Sequence, residues 1–393
     1  MNVGIVTYHC APNYGAMLQC TALQTVVEKA GHHAVVVDYE PDYLVQVNNL
    51  FFSPFVYAKK VADCYEDRPV WYRLIRGTLG FFKALWENAL FFKRWRTARK
   101  FNRFMKRHMH LSPRAATKDA LARCTPELDA LLCGSDQIWN PLVSGNGLDP
   151  VYFGDFTPER TAVYSYAASI CKLEKVDVDD LGRLSARLKE ISLREESTAR
   201  WFTEQLDRPA RTDVDPTLLL TREDYAALEE PVKTQGDYVL IYTLPNPASR
   251  KLIEETVLQL LREHPDLKVI DISYAKVSAL CKLDCYRFVP YLSPGEFLSY
   301  IKNARCVVTN SFHGVALSIV YEKVFWTAVH SKLGVRATDL LKALSLDDRI
   351  VTDPAEHAGE TVDYAAARPH LQAAREQSME YLNQILGAHQ DAE

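Results

Sequence analysis

Long apolar runs are missing from this chain. It has no stretch of about 18 apolar residues, the length that a helix needs to cross a bilayer. It opens on a strand pattern at Val3 with no basic segment or cleavage site before it, so the sequence predicts no signal peptide. Hydrophobic residues make up 48% of the 393 residues and charged residues 24%, which is ordinary for globular proteins. We therefore expect a cytoplasmic protein, long enough for two domains.

Closely spaced cysteines are almost absent as well. The nine cysteines are scattered, and the close pair Cys281 and Cys285 has no histidine or second pair beside it. Structural zinc sites need four ligands at short, regular spacing. The sequence thus predicts reduced thiols and no metal site.

Acidic residues are scarce in one stretch. Residues 59–108 hold 14 Lys and Arg against 4 Asp and Glu and are rich in Phe, Trp and Tyr. The rest of the chain holds 32 Lys and Arg against 46 Asp and Glu. One interpretation is two helices folded on the first domain with their basic side chains in water. The other is a peripheral contact with the anionic inner face of the membrane. Nucleic-acid binding fits poorly because the rest of the chain is acidic and has no nucleic-acid motif.

Strand and helix patterns alternate along the chain in two series. The first has strands at 3–8, 34–38, 130–133 and 161–165, with a helix at 16–30. The second has strands at 238–242, 268–272, 304–309 and 324–329, with helices at 248–263, 297–303 and 365–386. Between them, a charged helix is expected to continue through 185–190, before a short strand at 191–193. Such alternation indicates parallel sheets with right-handed crossovers.

We therefore predict an α/β fold with two Rossmann-like parallel-sheet domains facing a cleft. The first domain covers residues 1–200, with a helical insertion at about 41–126. The second covers 201–360, and 361–393 form a C-terminal helix that reaches back to the first domain.

The sequence SFHG at 311–314 lies between an apolar strand and an apolar helix. Asn310 and Ser311 are good N-cap residues, and Gly314 allows close approach to the backbone. His313 would then lie in the first turn of a helix at the carboxyl end of a strand, where free N–H groups favour anions. A histidine that is only structural remains the alternative from this segment alone.

Three further segments are distinctive: NYGAMLQ at 13–19, GSDQIWNP at 134–141 and ISLREES at 191–197. With SFHG, they resemble the polysaccharide pyruvyl transferase family from residue 1 to about 350. The resemblance implies a GT-B-like arrangement of the two domains. It also implies transfer of a pyruvyl group from phosphoenolpyruvate to two hydroxyls of a sugar in cell-envelope exopolysaccharide biosynthesis, with no cofactor.

This chemistry requires cations for the donor's phosphate and carboxylate and an acid or base for proton transfer. The resemblance implies that His313 and Arg194 are catalytic. For Arg194 the alternative is a surface salt bridge with Glu195 or Glu196, and the family often has Asp where Glu195 stands. The other candidates for contacts to donor or acceptor are His9, Asn13, Tyr14, Gly15, Ser135, Asp136, Gln137, Asn310, Ser311, Gly314, Lys332 and Arg336.

Most of these candidates also have a structural interpretation. Gly15 could simply shape its loop for packing, Asp136 could cap a turn, and Lys332 and Arg336 could be solvated loop residues. Asp215-Pro216 matches a family motif but is also an ordinary turn signal.

Two other functions stay open from the sequence. A GT-B-type nucleotide-sugar glycosyltransferase would share the two-domain cleft, but it would be expected to place acidic residues near SFHG, where none occurs. A non-catalytic sugar-binding accessory protein would not need Arg194 and His313. The acceptor sugar could be lipid-linked, in which case the basic stretch at 59–108 would recruit it at the membrane.

Overall fold

The computed structural model describes residues 1–45, 69–89, 91–145, 147–234, 236–273, 276–277, 279–328, 335–353 and 361–387. The first sheet contains β1 (Asn2–Val6), β2 (His33–Val36), β3 (Ala130–Cys133) and β4 (Ala162–Ser165) in the order β2-β1-β3-β4, all parallel. Its strands are apolar and almost wholly buried, as expected for a parallel sheet covered on both faces. Helix α1 (Tyr14–Lys29) connects β1 to β2.

A helical segment separates β2 from β3. It contains α2 (Asp42–Val45), α3 (Val70–Ala89), α4 (Phe91–His108) and α5 (Lys118–Cys124). Helix α4 buries Phe101, Phe104 and Met105 in the same core as α1. The insertion is therefore packed on the first half of the chain.

Short elements follow β3 and β4. They are α6 (Pro141–Ser144), α7 (Val178–Ser185), β5 (Ser192–Leu193), α8 (Glu196–Leu206), β6 (Arg211–Thr212), α9 (Pro216–Leu219) and α10 (Arg222–Ala226). Strands β5 and β6 form a small parallel sheet. Parallel bridges from Ala168 to Asp136 and to Leu193 connect it with the loop after β3.

The second large sheet is also parallel. It contains β7 (Tyr238–Tyr242), β8 (Lys268–Asp271), β9 (Tyr286–Phe288), β10 (Cys306–Thr309) and β11 (Val324–Thr327) in the order β11-β10-β7-β8-β9. Its helices are α11 (Pro247–Glu263), α12 (Pro294–Asn303), α13 (Phe312–Val320) and α14 (Val335–Ala343). Ser293 and Glu296 form a capping box at the start of α12, with Pro294 at its first position.

The two halves meet through an aromatic cluster around Tyr14 at the start of α1. The Tyr14 ring stacks on Phe101 of α4 and on Phe297 of α12, with centroids 5.4 and 4.6 Å away. Tyr242, at the end of β7, approaches it edge-on at 5.9 Å. One side chain thus joins the first half, the insertion and the second half.

The C-terminal helix α15 (Tyr364–Gly387) contacts the end of the first sheet. The Tyr381 hydroxyl donates to the Ser165 carbonyl at 3.1 Å, and the Ser378 hydroxyl accepts from the Val214 amide at 3.1 Å. None of the described helices combines the length and apolarity that crossing a bilayer requires.

The predicted α/β class, the two parallel sheets and the helical insertion are confirmed in the described residues. The expected helix through 185–190 is wrong, because α7 ends at Ser185 and the Lys189 amide then donates to the Val163 carbonyl of β4. Strand β9 and the small sheet's second strand β6 were not predicted. The domain limits at 200 and 360 stay predictions.

Candidate active site

Three charged side chains from separate segments meet at one buried carboxylate. Arg194 follows β5, Asp215 is the N-cap of α9, and His313 lies in the first turn of α13. Arg194 Nη1 donates to Asp215 Oδ2 at 2.7 Å, and His313 Nε2 lies 3.6 Å from the same oxygen. That distance is an ion-pair contact longer than a hydrogen bond. Arg194 and His313, predicted separately, are therefore brought together by Asp215.

Asp215 is completely buried, and its other contacts hold it in place. Its Oδ1 accepts from the Thr217 amide at 3.0 Å and the Thr217 hydroxyl at 2.7 Å, and its Oδ2 accepts from the Ser135 hydroxyl at 3.2 Å. Burial alone would raise the pKa of Asp215, but His313, Arg194 and Thr217 hold it well below its ordinary value. Asp215 is therefore a carboxylate that orients the arginine and faces the imidazole of the histidine.

Arg194 has a second acidic partner. Its Nε donates to Glu195 Oε1 at 3.2 Å, and that oxygen also accepts from the Ser169 hydroxyl at 2.8 Å. The guanidinium lies over the Phe312 ring, 4.4 Å from the centroid. Burial would lower the pKa of Arg194, but the surrounding carboxylates raise it above its ordinary value. The ion pair with Glu195 exists, but it is buried rather than on the surface.

Three polar atoms of this cluster are buried and lack a hydrogen-bond partner among the described residues. They are Arg194 Nη2, Glu195 Oε2 and His313 Nε2. Unsatisfied polar groups are rare in folded proteins because each costs about 1–3 kcal/mol. An arginine donor, a carboxylate acceptor and an imidazole nitrogen are thus left for hydrogen bonds that a substrate can complete.

Gly15 brings the first half of the chain against the histidine. A side chain built on its Cα would overlap the His313 ring. The Asn13 side chain caps α1 by accepting from the Gly15 amide at 2.9 Å and the Ala16 amide at 3.3 Å. Asn13, Tyr14 and Gly15, predicted as acceptor-binding residues, therefore place the N-terminus of α1 beside His313.

Residues around His313 shape the backbone of its helix. The Ser311 hydroxyl caps α13 by accepting from the Gly314 amide at 3.4 Å, which confirms the predicted position of His313 in the first turn. Any side chain at Gly314 would collide with Thr309. The Asn310 amide group hydrogen-bonds Leu244 in both directions, at 2.7 and 3.0 Å, and so fixes the loop after β7.

The GSDQ segment after β3 also contributes to the site. Asp136 has a positive φ of 71°, and its side chain accepts from the Gln137 amide at 2.8 Å, as a residue that caps a turn does. Its negative charge also contributes to the raised pKa of Arg194. With the Gln137 amide oxygen facing Arg336, that guanidinium donates to it at 2.6 and 3.2 Å. Gln137 and Arg336 thus connect the two halves at a second point.

One predicted candidate, His9, lies apart from this cluster. His9 is fully buried, with one ring nitrogen 3.0 Å from Asp38 Oδ1 and the other 3.2 Å from the Thr7 carbonyl. Both its nitrogens are therefore occupied within the first half. Lys332 lies outside the described residues.

Sequence reasoning missed the central role of Asp215 and the buried role of Glu195. Asp215-Pro216 was interpreted as either a family motif or a turn, and it is in fact both an N-cap and the partner of Arg194. The available signal was an acid that directly precedes a proline and could cap the helix that begins there. Nothing in the spacing tells that this acid meets an arginine 21 residues earlier and a histidine far later in the chain.

The family model described as polysaccharide pyruvyl transferase matches residues 13–329, which include Arg194, Asp215 and His313. The comparison with curated proteins finds no match. One similar solved structure is MnaA of S. aureus with UDP, which is 10% identical, with 98% of this chain and 96% of that chain covered and a TM-score of 0.49. A second is the Methanocaldococcus jannaschii UDP-GlcNAc 2-epimerase with UDP-GlcNAc and UDP, which is 11% identical, with 99% of this chain and 100% of that chain covered and a TM-score of 0.46. A third is the E. coli heptosyltransferase WaaC with ADP, which is 12% identical, with 97% of this chain and 100% of that chain covered and a TM-score of 0.40. The match over most of its length shows that this chain belongs to the polysaccharide pyruvyl transferase family.

Proposed function

We propose that the protein transfers the pyruvyl group of phosphoenolpyruvate to two hydroxyls of a sugar, forming a ketal and releasing phosphate. The sugar would belong to a cell-surface polysaccharide or its precursor, and the reaction would take place in the cytoplasm. The observation that supports this most is a set of three buried atoms with no hydrogen-bond partner in the part of the chain that the structure describes: Arg194 Nη2, Glu195 Oε2 and His313 Nε2.

Arg194 is suited to hold the donor. Phosphoenolpyruvate carries a phosphate and a carboxylate, and Arg194 Nη2, which has no hydrogen-bond partner among the described residues, can donate to either. Asp215 and Glu195 fix the other two nitrogens of the group, so little conformational entropy is lost when the donor binds.

His313 is suited to supply the proton. Carbon 3 of phosphoenolpyruvate must gain a proton so that carbon 2 can accept a hydroxyl oxygen. His313 Nε2 lies 3.6 Å from the Asp215 carboxylate and has no hydrogen-bond partner among the described residues, so it can pass a proton to the donor. The imidazole regains a proton from the acceptor as the reaction proceeds.

Glu195 is suited to accept from the sugar, since its Oε2 has no described partner. The first hydroxyl oxygen bonds to carbon 2, the carbon–oxygen bond to phosphate breaks, and the second hydroxyl oxygen takes its place. Of the two hydroxyl protons, one ends on carbon 3 and the other on phosphate. The atoms therefore balance with no oxidant, reductant or cofactor.

The test is incubation with phosphoenolpyruvate and a panel of sugar acceptors, following phosphate release and the mass of the sugar. We expect phosphate release only with an acceptor present, together with a sugar of higher mass that contains a new carboxylate. Calorimetry with phosphoenolpyruvate alone tests the donor site without knowledge of the acceptor. Failure to bind phosphoenolpyruvate, together with transfer of sugar from a nucleotide-sugar, would replace this proposal by glycosyl transfer.

A further inference from the structure

Helix α3 presents an apolar face to solvent. Its exposed large hydrophobic residues are between 52 and 69% accessible, and they are Val70, Trp71, Leu74, Ile75, Leu79 and Phe82. At 100° per residue these six side chains and Thr78 fall on one half of the helix, so they form a continuous surface without a charge. We call this surface the apolar face. Exposed apolar surface of this kind usually marks a contact with a partner or a membrane.

The orientation of α3 is fixed by its other side. Gly77 and Gly80 are buried, and Arg73 and Arg76 are half-buried. Over residues 70–82 the helix thus turns its charged and small residues toward the protein and its large apolar residues outward. This is the reverse of the usual pattern for a helix on a water-exposed surface.

Helix α4, which follows α3 directly in the chain, has a basic exposed side. Its exposed cations are Arg96, Arg99, Arg103, Lys106 and Arg107, and the helix contains no acidic residue. Trp95 is 40% exposed at one end of this side, with the Arg99 guanidinium 5.3 Å from its ring. We call this surface the basic face. Phe101, Phe104 and Met105 on the opposite side anchor the helix in the core.

We propose that the apolar face and the basic face together dock the protein on an anionic lipid surface. Apolar and tryptophan side chains enter the headgroup boundary, while arginine and lysine bind the lipid phosphates. Neither surface alone identifies the occupant, since an apolar helix face also fits a second copy of the chain. A second copy, however, would bring the same cluster of five basic side chains, which opposes self-association.

The test is co-sedimentation of the full chain with phosphatidylcholine vesicles, with and without phosphatidylglycerol. We expect binding to the anionic vesicles only. This binding weakens as salt rises from 0.1 to 1 M, because the Debye length falls from about 10 to about 3 Å.

Two triple variants separate the contributions of the faces. Trp71→Ser/Leu74→Ser/Leu79→Ser should weaken binding at least about tenfold. Arg96→Gln/Arg99→Gln/Arg103→Gln should weaken it about 100-fold and flatten the salt dependence. All six side chains are exposed, so thermal unfolding should be unchanged.

Matched controls replace exposed residues of the same kinds elsewhere. Leu142→Ser removes an apolar side chain that is 57% exposed, and Arg123→Gln/Lys233→Gln/Lys282→Gln removes three exposed cations. Both controls should bind vesicles like the wild type.

Equal binding to neutral and anionic vesicles, no binding to either, or wild-type binding by both triple variants would overturn the proposal. So would a dimer in sedimentation experiments that the apolar-face variant abolishes, since the face would then bind a second copy. Membrane docking does not depend on the transfer reaction. A negative result with vesicles therefore leaves phosphoenolpyruvate binding untouched, and a negative result in calorimetry leaves vesicle binding untouched.

Discussion

Replacing Asp215 by asparagine tests the buried cluster directly, because the shape is kept and the charge is lost. The wild-type carboxylate accepts from Arg194, Ser135 and Thr217 and lies 3.6 Å from His313. If the asparagine amide oxygen stays with Thr217, its amide nitrogen takes the place of Oδ2. That nitrogen is a donor and cannot accept from Arg194 or Ser135, so both lose a hydrogen bond. Arg194 then keeps Glu195 as its acidic partner.

The expected cost is about 3–5 kcal/mol of unfolding free energy at pH 7. This is the range found when one partner of a buried ion pair is removed and the other charge stays buried. An exposed pair would instead cost about 0–1 kcal/mol. The complete burial of the Asp215 side chain decides between these magnitudes.

The difference in unfolding free energy between the wild type and Asp215→Asn should also depend on pH. The pKa of Asp215 in the folded protein lies below its ordinary value of 3.8, so the charge stabilises the fold fully above pH 3.8. That stabilisation is lost as pH falls from the unfolded-state pKa through the folded-state pKa. The difference should therefore be constant between pH 7 and 5 and shrink below about pH 4.

The assay is urea unfolding of both proteins at pH 7, 5 and 3, with turnover of phosphoenolpyruvate measured on the folded protein at pH 7. Asp213→Asn is a matched control, because its buried carboxylate binds Ser192 and Arg211 instead. We expect that control to lose stability but keep turnover, whereas Asp215→Asn loses both. A loss below about 1 kcal/mol at pH 7, or full turnover in the folded Asp215→Asn protein, would refute the central role of this carboxylate.

Substitutions at three further residues test the rest of the site. Arg194→Ala should weaken phosphoenolpyruvate binding about 10- to 100-fold by calorimetry, because one charge-assisted contact is worth roughly 1.5–3 kcal/mol. Arg194→Lys should not restore it, and unchanged affinity would make the residue structural. His313→Ala should abolish phosphate release while circular dichroism stays unchanged, and near-normal turnover would exclude it as the proton donor. Gly15→Ala should lower turnover by displacing the His313 ring, whereas Gly387→Ala, which has open space around it, should be neutral in the same assay.

The large elements could be predicted because their signals are local. Strands such as β7 and β10 are short apolar runs between turn residues, and the capping box at Ser293 marks the start of α12 from sequence alone. Strand β9 could not be found in this way. Its residues Tyr286–Phe288 are only partly buried, so the apolar pattern of an inner strand is missing.

The candidate site was only partly predictable for a related reason. Arg194 and His313 each stand beside a strand or helix end, and motif resemblance selected them. Their meeting point at Asp215 depends on how three distant segments fold together, which no spacing encodes. The same holds for Gly15, whose small size is explained by a ring almost 300 residues later in the chain.

The aromatic cluster around Tyr14 has a consequence for relatives of different length. Phe101 from the insertion forms one side of that stack, and Lys100 beside it donates to Glu296 of α12 at 2.6 Å. A shorter protein obtained by deleting the insertion would expose Tyr14 and leave Glu296 without this partner. We therefore expect a family member without these helices to place another apolar group against Tyr14 where Phe101 lies here. Any family sequence with a shorter segment between β2 and β3 can be searched for that replacement.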